Sequence, residues 1–124
     1  MSKTIFLVDD SATILMSVSA TLLANGFKVE TASDGLQALE KLNAGLKPDL
    51  MITDINMPNM GGLELIQNVR TLPDFRSMPI LTLTSESHAD KRAEGEKMGA
   101  NGWLVKPIAD AELLRVIEQV LPRT

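Results

Sequence analysis

Five short apolar runs alternate along the chain with five longer segments of helical periodicity. The runs occupy residues 4–8, 27–32, 50–54, 79–84 and 102–105. In the segments between them, apolar residues recur as they do on one face of a helix. This alternation is typical of parallel sheets with right-handed crossovers. We therefore expect an α/β fold: a doubly wound, five-stranded parallel sheet with five helices on both faces.

The predicted helices differ in how clearly an apolar face is marked. The clear faces are Ile14, Leu15, Val18, Leu22 and Leu23; Leu36, Leu39 and Leu42; Leu63, Leu65, Ile66, Val69 and Leu72; and Leu113, Val116, Ile117, Val120 and Leu121. The remaining helix, residues 87–98, offers only Ala89, Ala93 and Met98, and it contains Gly95. Because an internal glycine costs roughly 0.5–1 kcal/mol relative to alanine, we expect this helix to be the least firmly held.

Length and composition limit the class of protein. We expect a single domain over residues 1–124, with no output domain. The chain has no cysteine, its N-terminus does not resemble a signal peptide, and no apolar run has membrane-spanning length. These features predict a cytoplasmic protein without membrane insertion. The net charge of −4 argues against non-specific nucleic-acid binding, which needs clustered Lys and Arg.

Acidic, hydroxyl and amine side chains follow the ends of the predicted strands. They are Asp9 and Asp10 after the first run, Asp54 at the end of the third, Thr84 and Ser85 at the fourth, and Lys106 after the fifth. The carboxyl ends of parallel strands share one edge, where open α/β sheets bind ligands. In the flavodoxin-like strand order 2-1-3-4-5 the first and third strands are neighbours, which brings the three carboxylates closest together.

Three carboxylates at one edge need a counter-charge. Two like charges about 4 Å apart repel by roughly 4 kcal/mol at an effective dielectric of about 20. A divalent cation relieves this repulsion, and oxygen ligands without nearby His or Cys favour Mg²⁺ or Mn²⁺ over Zn²⁺. Because Mg²⁺ usually completes its shell with water and phosphoryl oxygens, the pattern predicts phosphoryl chemistry.

Within such chemistry Asp54 is the candidate nucleophile, since aspartate forms aspartyl phosphates in other proteins. Lys106 and the metal would neutralise the phosphoryl oxygens, and Thr84 offers a hydrogen-bond donor. Each residue also has a simpler interpretation. The acidic pair could cap a helix, Thr84 and Ser85 could cap the next helix, Lys106 could be a solvated surface amine, and Asp54 could merely end a strand.

The motifs at these strand ends resemble those of receiver domains of two-component signalling, and most closely those of CheY-like single-domain chemotaxis response regulators. The motifs are Val8-Asp9-Asp10-Ser11, Asp54-Ile55-Asn56-Met57-Pro58-Asn59-Met60-Gly61-Gly62, Leu83-Thr84-Ser85 and Gly102-Trp103-Leu104-Val105-Lys106-Pro107. The resemblance covers essentially the whole chain. It implies a signalling receiver that catalyses only its own phosphotransfer and dephosphorylation.

The resemblance implies a separate role for each acidic residue of the site. Asp54 would take a phosphoryl group from a phosphohistidine of a sensor histidine kinase. Asp10, Asp54 and the backbone carbonyl of Asn56 would bind Mg²⁺, with Asp9 acting through water. Asn56 and Glu86 would flank the path of the hydrolytic water and tune dephosphorylation. The alternative for Asn56 and Glu86 is ordinary solvent-facing loop chemistry.

On the opposite side of the site the resemblance implies a switch. Lys106 would hold the phosphoryl group, Thr84 would move to bond it, and the peptide bond before Pro107 would be cis. Trp103 aligns with the family's switch aromatic, usually Tyr or Phe. The bulkier indole is a departure from the family pattern, and it leaves open whether this side chain turns inward.

Inward movement of Thr84 would shift the weakly anchored helix that follows it. The candidate partner surface therefore lies on the face of helix 4, strand 5 and helix 5. Its residues are Lys91, Arg92, Lys97, Met98 and Trp103. The implied partners of a monomeric protein are a sensor histidine kinase, a downstream target such as a flagellar motor switch or a phosphorelay component, and a phosphatase.

Two other classes of protein fit the same fold. An aspartate-nucleophile phosphohydrolase also places Asp at the end of strand one, but it usually needs a second acid two residues later, where this chain has Ser11. A flavin carrier would bring an anionic phosphate to the acidic loop after strand one, where it would be repelled. We therefore expect a chemotaxis response regulator.

Overall fold

A computed structural model describes residues 2–85 and 89–121 of the chain. Strands and helices alternate in the order β1 (Thr4–Val8), α1 (Ala12–Ala24), β2 (Lys28–Ala32), α2 (Gly35–Asn43), β3 (Leu50–Thr53), α3 (Gly62–Arg70), β4 (Ile80–Thr84), α4 (Ala89–Met98), β5 (Gly102–Val105) and α5 (Asp110–Val120). Within these ranges no helix has both the length and the apolar character needed to cross a membrane.

The strands form one parallel sheet in the order β2-β1-β3-β4-β5, which confirms the predicted fold. β1 lies between β2 and β3, and Val8 is paired with Thr53 in the register between β1 and β3. On the other side of β3, Thr84 at the end of β4 is paired with Val105 of β5. The residues that follow β1, β3 and β5 therefore emerge at the same edge of the sheet.

Two apolar layers cover the sheet, because alternate strand residues point to opposite faces. Ile5 and Leu7 of β1 pack in one layer with α1 and α5, whose buried contributors include Leu22 and Leu113. Phe6 and Val8 belong to the other layer with α2 and α3. Because the sheet is covered on both faces, its inner strands β1, β3 and β4 read as nearly continuous apolar runs. The edge strand β2 instead alternates exposed and half-buried residues up to Ala32.

Two leucines assigned to apolar helix faces are in fact exposed. Leu23 is 58% exposed and Leu36 is 47% exposed, whereas Leu22 and Ala38 are completely buried. Consecutive residues of a helix are rotated by about 100° from each other. Leu23 therefore points away from the sheet that its neighbour Leu22 contacts.

One helix ends earlier than predicted, and one predicted apolar anchor is exposed. The third helix ends at Arg70 rather than reaching Leu72, and a 3-10 turn follows over Pro73–Phe75. In α4, Ala93 is exposed rather than acting as an apolar anchor. Gly95 is the buried position among the α4 residues whose burial is described.

Candidate functional site

The acidic pair after β1 divides into one buried and one exposed carboxylate. Asp9 is 1% exposed, and its Oδ1 accepts a hydrogen bond from the backbone N–H of Ser11 at 2.9 Å. Ser11 is the N-cap of α1, with its hydroxyl oxygen accepting from the N–H of Ile14 at 3.3 Å. The helix-capping interpretation of Asp9 and Asp10 is therefore wrong. Asp10 is exposed to solvent.

Asp54 follows β3 directly and is 8% exposed. Its backbone N–H donates to the carbonyl of Val8 at 2.9 Å, which continues the pairing between β1 and β3 past the last strand residue. Its Oδ1 accepts from the N–H of Ile55 at 2.6 Å. The N-terminus of α3 closes over this corner, since the N–H of Gly62 donates to the carbonyl of Ile55 at 2.8 Å.

Lys106 brings an amine between the two buried carboxylates. Its Nζ lies 2.8 Å from Oδ2 of Asp9 and 3.1 Å from Oδ2 of Asp54, and its side chain is 19% exposed. Its backbone N–H donates to the carbonyl of Thr84 at 2.8 Å, and the following peptide bond to Pro107 is cis, as predicted. The interpretation of Lys106 as a solvated surface amine is therefore wrong.

Burial and charge act in opposite directions on these groups. Burial raises the pKa of the Asp9 carboxyl above its usual value, and this effect outweighs the lowering by Lys106 and by the N–H of Ser11. Burial alone would lower the pKa of Lys106, but hydrogen bonds and charges from Asp9 and Asp54 outweigh it and raise the pKa. Lys106 therefore stays protonated and holds a positive charge inside the acidic site.

Asp9, Asp10 and Asp54 each offer one carboxylate oxygen, and these three oxygens lie within 4.8 Å of one another. One lysine cannot neutralise three carboxylates, so a net negative charge remains. Carboxylate oxygens are the ligands that Mg²⁺ prefers, and the exposure of Asp10 leaves space for the waters that Mg²⁺ retains. The donor set therefore fits a hard divalent cation.

The remaining predicted site residues occupy three different environments. Thr84 is completely buried at the end of β4. Asn56 is exposed in the loop two residues after Asp54. Glu86 lies outside the described residues.

The candidate partner surface is only partly exposed. Lys91, Arg92 and Lys97 are exposed on α4, and Arg92 pairs with Glu96 at 3.5 Å. Met98, which is predicted both as an apolar anchor of this helix and as part of the partner surface, is half-buried against the apolar layer that contains α2 and α3. It lies near the end of α4, just before the chain enters β5.

The indole of Trp103 is 8% exposed, so it offers little of its surface to a partner. A Cβ atom added at Gly95 would lie 2.8 Å from Cζ3 of the indole. Trp103 therefore packs beneath the middle of α4. Pattern reasoning missed this contact because it joins a helix and a strand that follow different periodicities.

A second contact that pattern reasoning missed ties the loop after Asp54 to α2. Asp34 is the N-cap of α2, with Oδ1 accepting from the N–H of Gln37 at 2.8 Å. Its Oδ2 accepts from Nδ2 of Asn59 at 2.7 Å. Asn59 has a positive φ of 67°, a conformation that asparagine tolerates better than most residues. The turn signal in Pro58-Asn59 was visible in the sequence, but its partner was not.

Comparison with known proteins places the whole site in one family. Residues 5–118 match the family model described as the response regulator receiver domain. The structure is similar to that of the chemotaxis response regulator CheY4 of Vibrio cholerae, with a TM-score of 0.92 and 42% identity, covering 98% of this chain and 100% of that one.

Two further relatives show the range of proteins that the chain resembles. It is 39% identical to the response regulator MprA of Mycobacterium ulcerans (strain Agy99) over 100% of its own length and 52% of that protein. The chain thus spans about half the length of the curated relatives it matches. The receiver domain of the sensor histidine kinase PA1611 from Pseudomonas aeruginosa PAO1 has a TM-score of 0.90 and 26% identity, covering 99% of this chain and 100% of that one. That structure is described with a magnesium ion coordinated in its active site cleft.

Proposed function

The chain belongs to the response regulator receiver domain family of two-component signalling, and on that basis we propose that Asp54 accepts a phosphoryl group. The observation that carries the proposal is the convergence of Asp9, Asp54 and Lys106, with the amine 2.8 and 3.1 Å from the two carboxylates. Among the residues proposed for the site, Asp54 follows the central strand of the sheet. Asp9, after the neighbouring strand β1, therefore lies on one side of it, and Thr84, at the end of β4, lies on the other.

The phosphoryl donor is a phosphohistidine of a sensor histidine kinase. An Asp54 carboxylate oxygen attacks phosphorus, so that a P–O bond forms while the P–N bond of the donor breaks. The electron pair of the P–N bond returns to the donor imidazole, which takes up a proton and leaves as the neutral ring. The product is an aspartyl phosphate, a covalent intermediate that water later hydrolyses.

Lys106 balances the negative charge of the transferring group. Phosphoryl transfer needs positioned positive charge near the equatorial oxygens. The amine of Lys106, 3.1 Å from Oδ2 of Asp54, supplies such charge. Thr84 supplies a hydroxyl at the end of the neighbouring strand, and its movement toward the phosphoryl group is the step that carries the signal outward.

A magnesium ion completes the site in this proposal, with manganese as a substitute. Asp10, Asp54 and the backbone carbonyl of Asn56 would hold the ion, and Asp9 would act through water. The ion would neutralise phosphoryl oxygens during transfer. Support comes from the clustering of the three carboxylates and from the magnesium described in the PA1611 receiver domain. Asn56, with Glu86, would tune the lifetime of the phosphorylated state.

The signalling role that we propose is that of a monomeric, cytoplasmic regulator in chemotaxis. It is supported by the similarity to the solved chain of CheY4 of Vibrio cholerae, all of which this chain covers. The output face would be α4, β5 and α5, and its target would be a flagellar motor switch protein or a phosphorelay component, with a phosphatase ending the signal. Binding to the motor switch protein of its own organism only after phosphorylation would support this role, and equal binding without phosphorylation would contradict it.

The phosphoryl-acceptor role is tested with acetyl phosphate as a small donor. The protein is incubated with acetyl phosphate and Mg²⁺, and its intact mass is measured for the wild type and for Asp54→Asn. We expect a single phosphoryl adduct on the wild type, no adduct on Asp54→Asn, and an adduct on the control Asp74→Asn, which changes an exposed acid in the 3-10 turn. An adduct on Asp54→Asn that equals the wild type would refute the assignment.

Repeated hydrolysis of a phosphate ester distinguishes a phosphohydrolase from a receiver. A receiver carries its phosphoryl group on Asp54 and does not turn over an unrelated ester. We expect no catalytic hydrolysis of p-nitrophenyl phosphate in the presence of Mg²⁺. Multiple turnovers that are lost in Asp9→Asn, which changes the acid that follows β1, would instead favour the phosphohydrolase.

A further inference from the structure

Gly95 lies where α4 comes closest to the sheet. A Cβ atom at this position would be 2.8 Å from Cζ3 and 3.2 Å from Cε3 of Trp103, and 3.5 Å from Cδ2 of Leu63. Contacts below about 3 Å require a neighbour to move, and the indole is 8% exposed and enclosed. The absence of a side chain at residue 95 is therefore what allows α4 to lie directly on the indole.

Along residues 90–98 of α4, Gly95 is also the first buried position. Residues 90–94 are all exposed, whereas Gly95 is buried and Met98 is half-buried against the apolar layer that contains α2 and α3. The end of the helix is held from another direction, since the guanidinium of Arg70 donates to the carbonyl of Gly99 at 2.6 Å. Between the exposed residues 90–94 and the held end of the helix, the contact of Gly95 with Trp103 is where α4 meets β5.

We propose that Gly95 is a positioning residue whose contact with Trp103 sets where α4 lies, and with it the placement of Lys91 and Arg92. In this arrangement the indole is buried beneath the helix before phosphorylation, so the signal moves α4 across a buried aromatic ring. The consequence for signalling rests on the proposed function. The contact itself is testable without phosphorylation.

The direction in which Gly95→Ala changes stability shows whether the contact with the indole or helix propensity dominates at this position. At an exposed helical position, replacing Gly by Ala lowers the equilibrium constant for unfolding about fivefold. At position 95 the added methyl group meets the indole, and overpacking of this kind raises the constant by about tenfold or more. The two effects have opposite signs.

The experiment is a double-mutant cycle on Gly95→Ala and Trp103→Phe, measured by urea unfolding followed by circular dichroism. We expect Gly95→Ala to raise the unfolding equilibrium constant about tenfold when Trp103 is present. With Phe at position 103, whose single ring is smaller, we expect the same change to leave the constant unchanged or to lower it up to fivefold, roughly the helix-propensity gain. Ala93→Gly, at an exposed α4 position, measures that propensity in the same helix.

Two results would overturn the proposal. One is a Gly95→Ala variant that is more stable than the wild type with Trp103 in place. The other is an equal loss of stability in both backgrounds, because the cost would then not come from the indole. If Gly95→Ala alone does not fold, the double variant decides: it should match or exceed the stability of Trp103→Phe.

The signalling consequence has its own measurement. Emission of Trp103 is recorded for the wild type and Gly95→Ala before and after beryllofluoride and Mg²⁺, which mimic the phosphoryl group. We expect Gly95→Ala to shift the initial emission to the red and to reduce the response to beryllofluoride by at least half. An unchanged response to beryllofluoride would overturn the link to α4. Absence of the acetyl phosphate adduct on the same two proteins, measured without beryllofluoride, would instead count against the proposed function.

Discussion

At the scale of single residues, the site depends on backbones that approach each other more closely than a side chain allows. A Cβ atom at Gly62 would clash with the backbone carbonyl oxygen of Asp54. This oxygen is part of the main chain that presents the carboxylate, so it cannot rotate away as the end of a side chain can. Gly62 therefore fixes where the loop after β3 can run.

We predict that Gly62→Ala lowers the free energy of unfolding by about 3 kcal/mol or more, because the methyl group forces backbone to move. Urea unfolding at neutral pH measures the change. Glu64→Ala is the control, since Glu64 lies exposed in the first turn of the same helix and should change stability by less than about 0.5 kcal/mol. A loss at Gly62 no larger than the loss at Glu64 would contradict the close approach.

Residue types predicted the polar members of the site well and its packing poorly. The meeting of Asp9, Asp54 and Lys106 follows from strand ends alone, because parallel strands deliver their last residues to one edge. The burial of Trp103 beneath Gly95 does not follow from any pattern within one element. It depends on how far apart a helix and a strand lie, which local sequence does not encode.

At the scale of elements, α2 and the loop after β3 share one carboxylate. Asp34 caps α2 through Oδ1 and holds Asn59 through Oδ2. The backbone N–H of Gln37, and then the side chain of Asn59, hold the pKa of Asp34 below its usual value near 3.8. A lowered pKa means that the folded state prefers the ionised carboxylate more strongly than the unfolded state does.

This preference makes a pH-dependent contribution with a defined sign. The stabilisation is fully present above the unfolded pKa and is lost as pH falls through the lower folded pKa. We predict that Asp34→Asn, which keeps an acceptor oxygen but does not titrate, loses less stability than the wild type between pH 7 and pH 3, a range of about four units around the Asp pKa. The urea midpoint at the two pH values measures the difference. The same decrease in both proteins would contradict the role of Asp34.

Element boundaries were predictable where a local signal existed. Asp34 is a residue type that commonly caps helices, and Gly26, with a φ of 88°, is the residue type that favours the end of a helix. The exposure of Leu23 and Leu36 was not predicted, because apolar periodicity marks a broad stripe and only the sheet determines which part of it is covered.

At the scale of the whole molecule, the sheet carries its function at one edge and its stability in two apolar layers. Asp9, Asp10 and Asp54 place negative charge at the carboxyl edge, and Lys106 offsets only part of it. Part of the folding free energy is therefore opposed by repulsion within the site. A bound cation should relieve this repulsion and so raise the free energy of unfolding.

We predict that Mg²⁺ raises the thermal unfolding midpoint of the wild type, by an amount equivalent to about 2.7 kcal/mol at a hundredfold excess over its dissociation constant. Differential scanning calorimetry with and without Mg²⁺ measures the shift. The shift should fall sharply in Asp10→Asn and persist in Asp90→Asn, which changes an exposed acid of α4. An equal shift in all three proteins would show that Mg²⁺ does not bind at the acidic site.

The central claim is that one carboxylate, at position 54, carries the phosphoryl group. After treatment with acetyl phosphate and Mg²⁺, borohydride reduces an aspartyl phosphate to homoserine, and peptide mass spectrometry locates the changed residue. We predict homoserine at position 54 and unchanged aspartate at positions 9 and 10. Homoserine at either of those positions, with Asp54 unchanged, would contradict it.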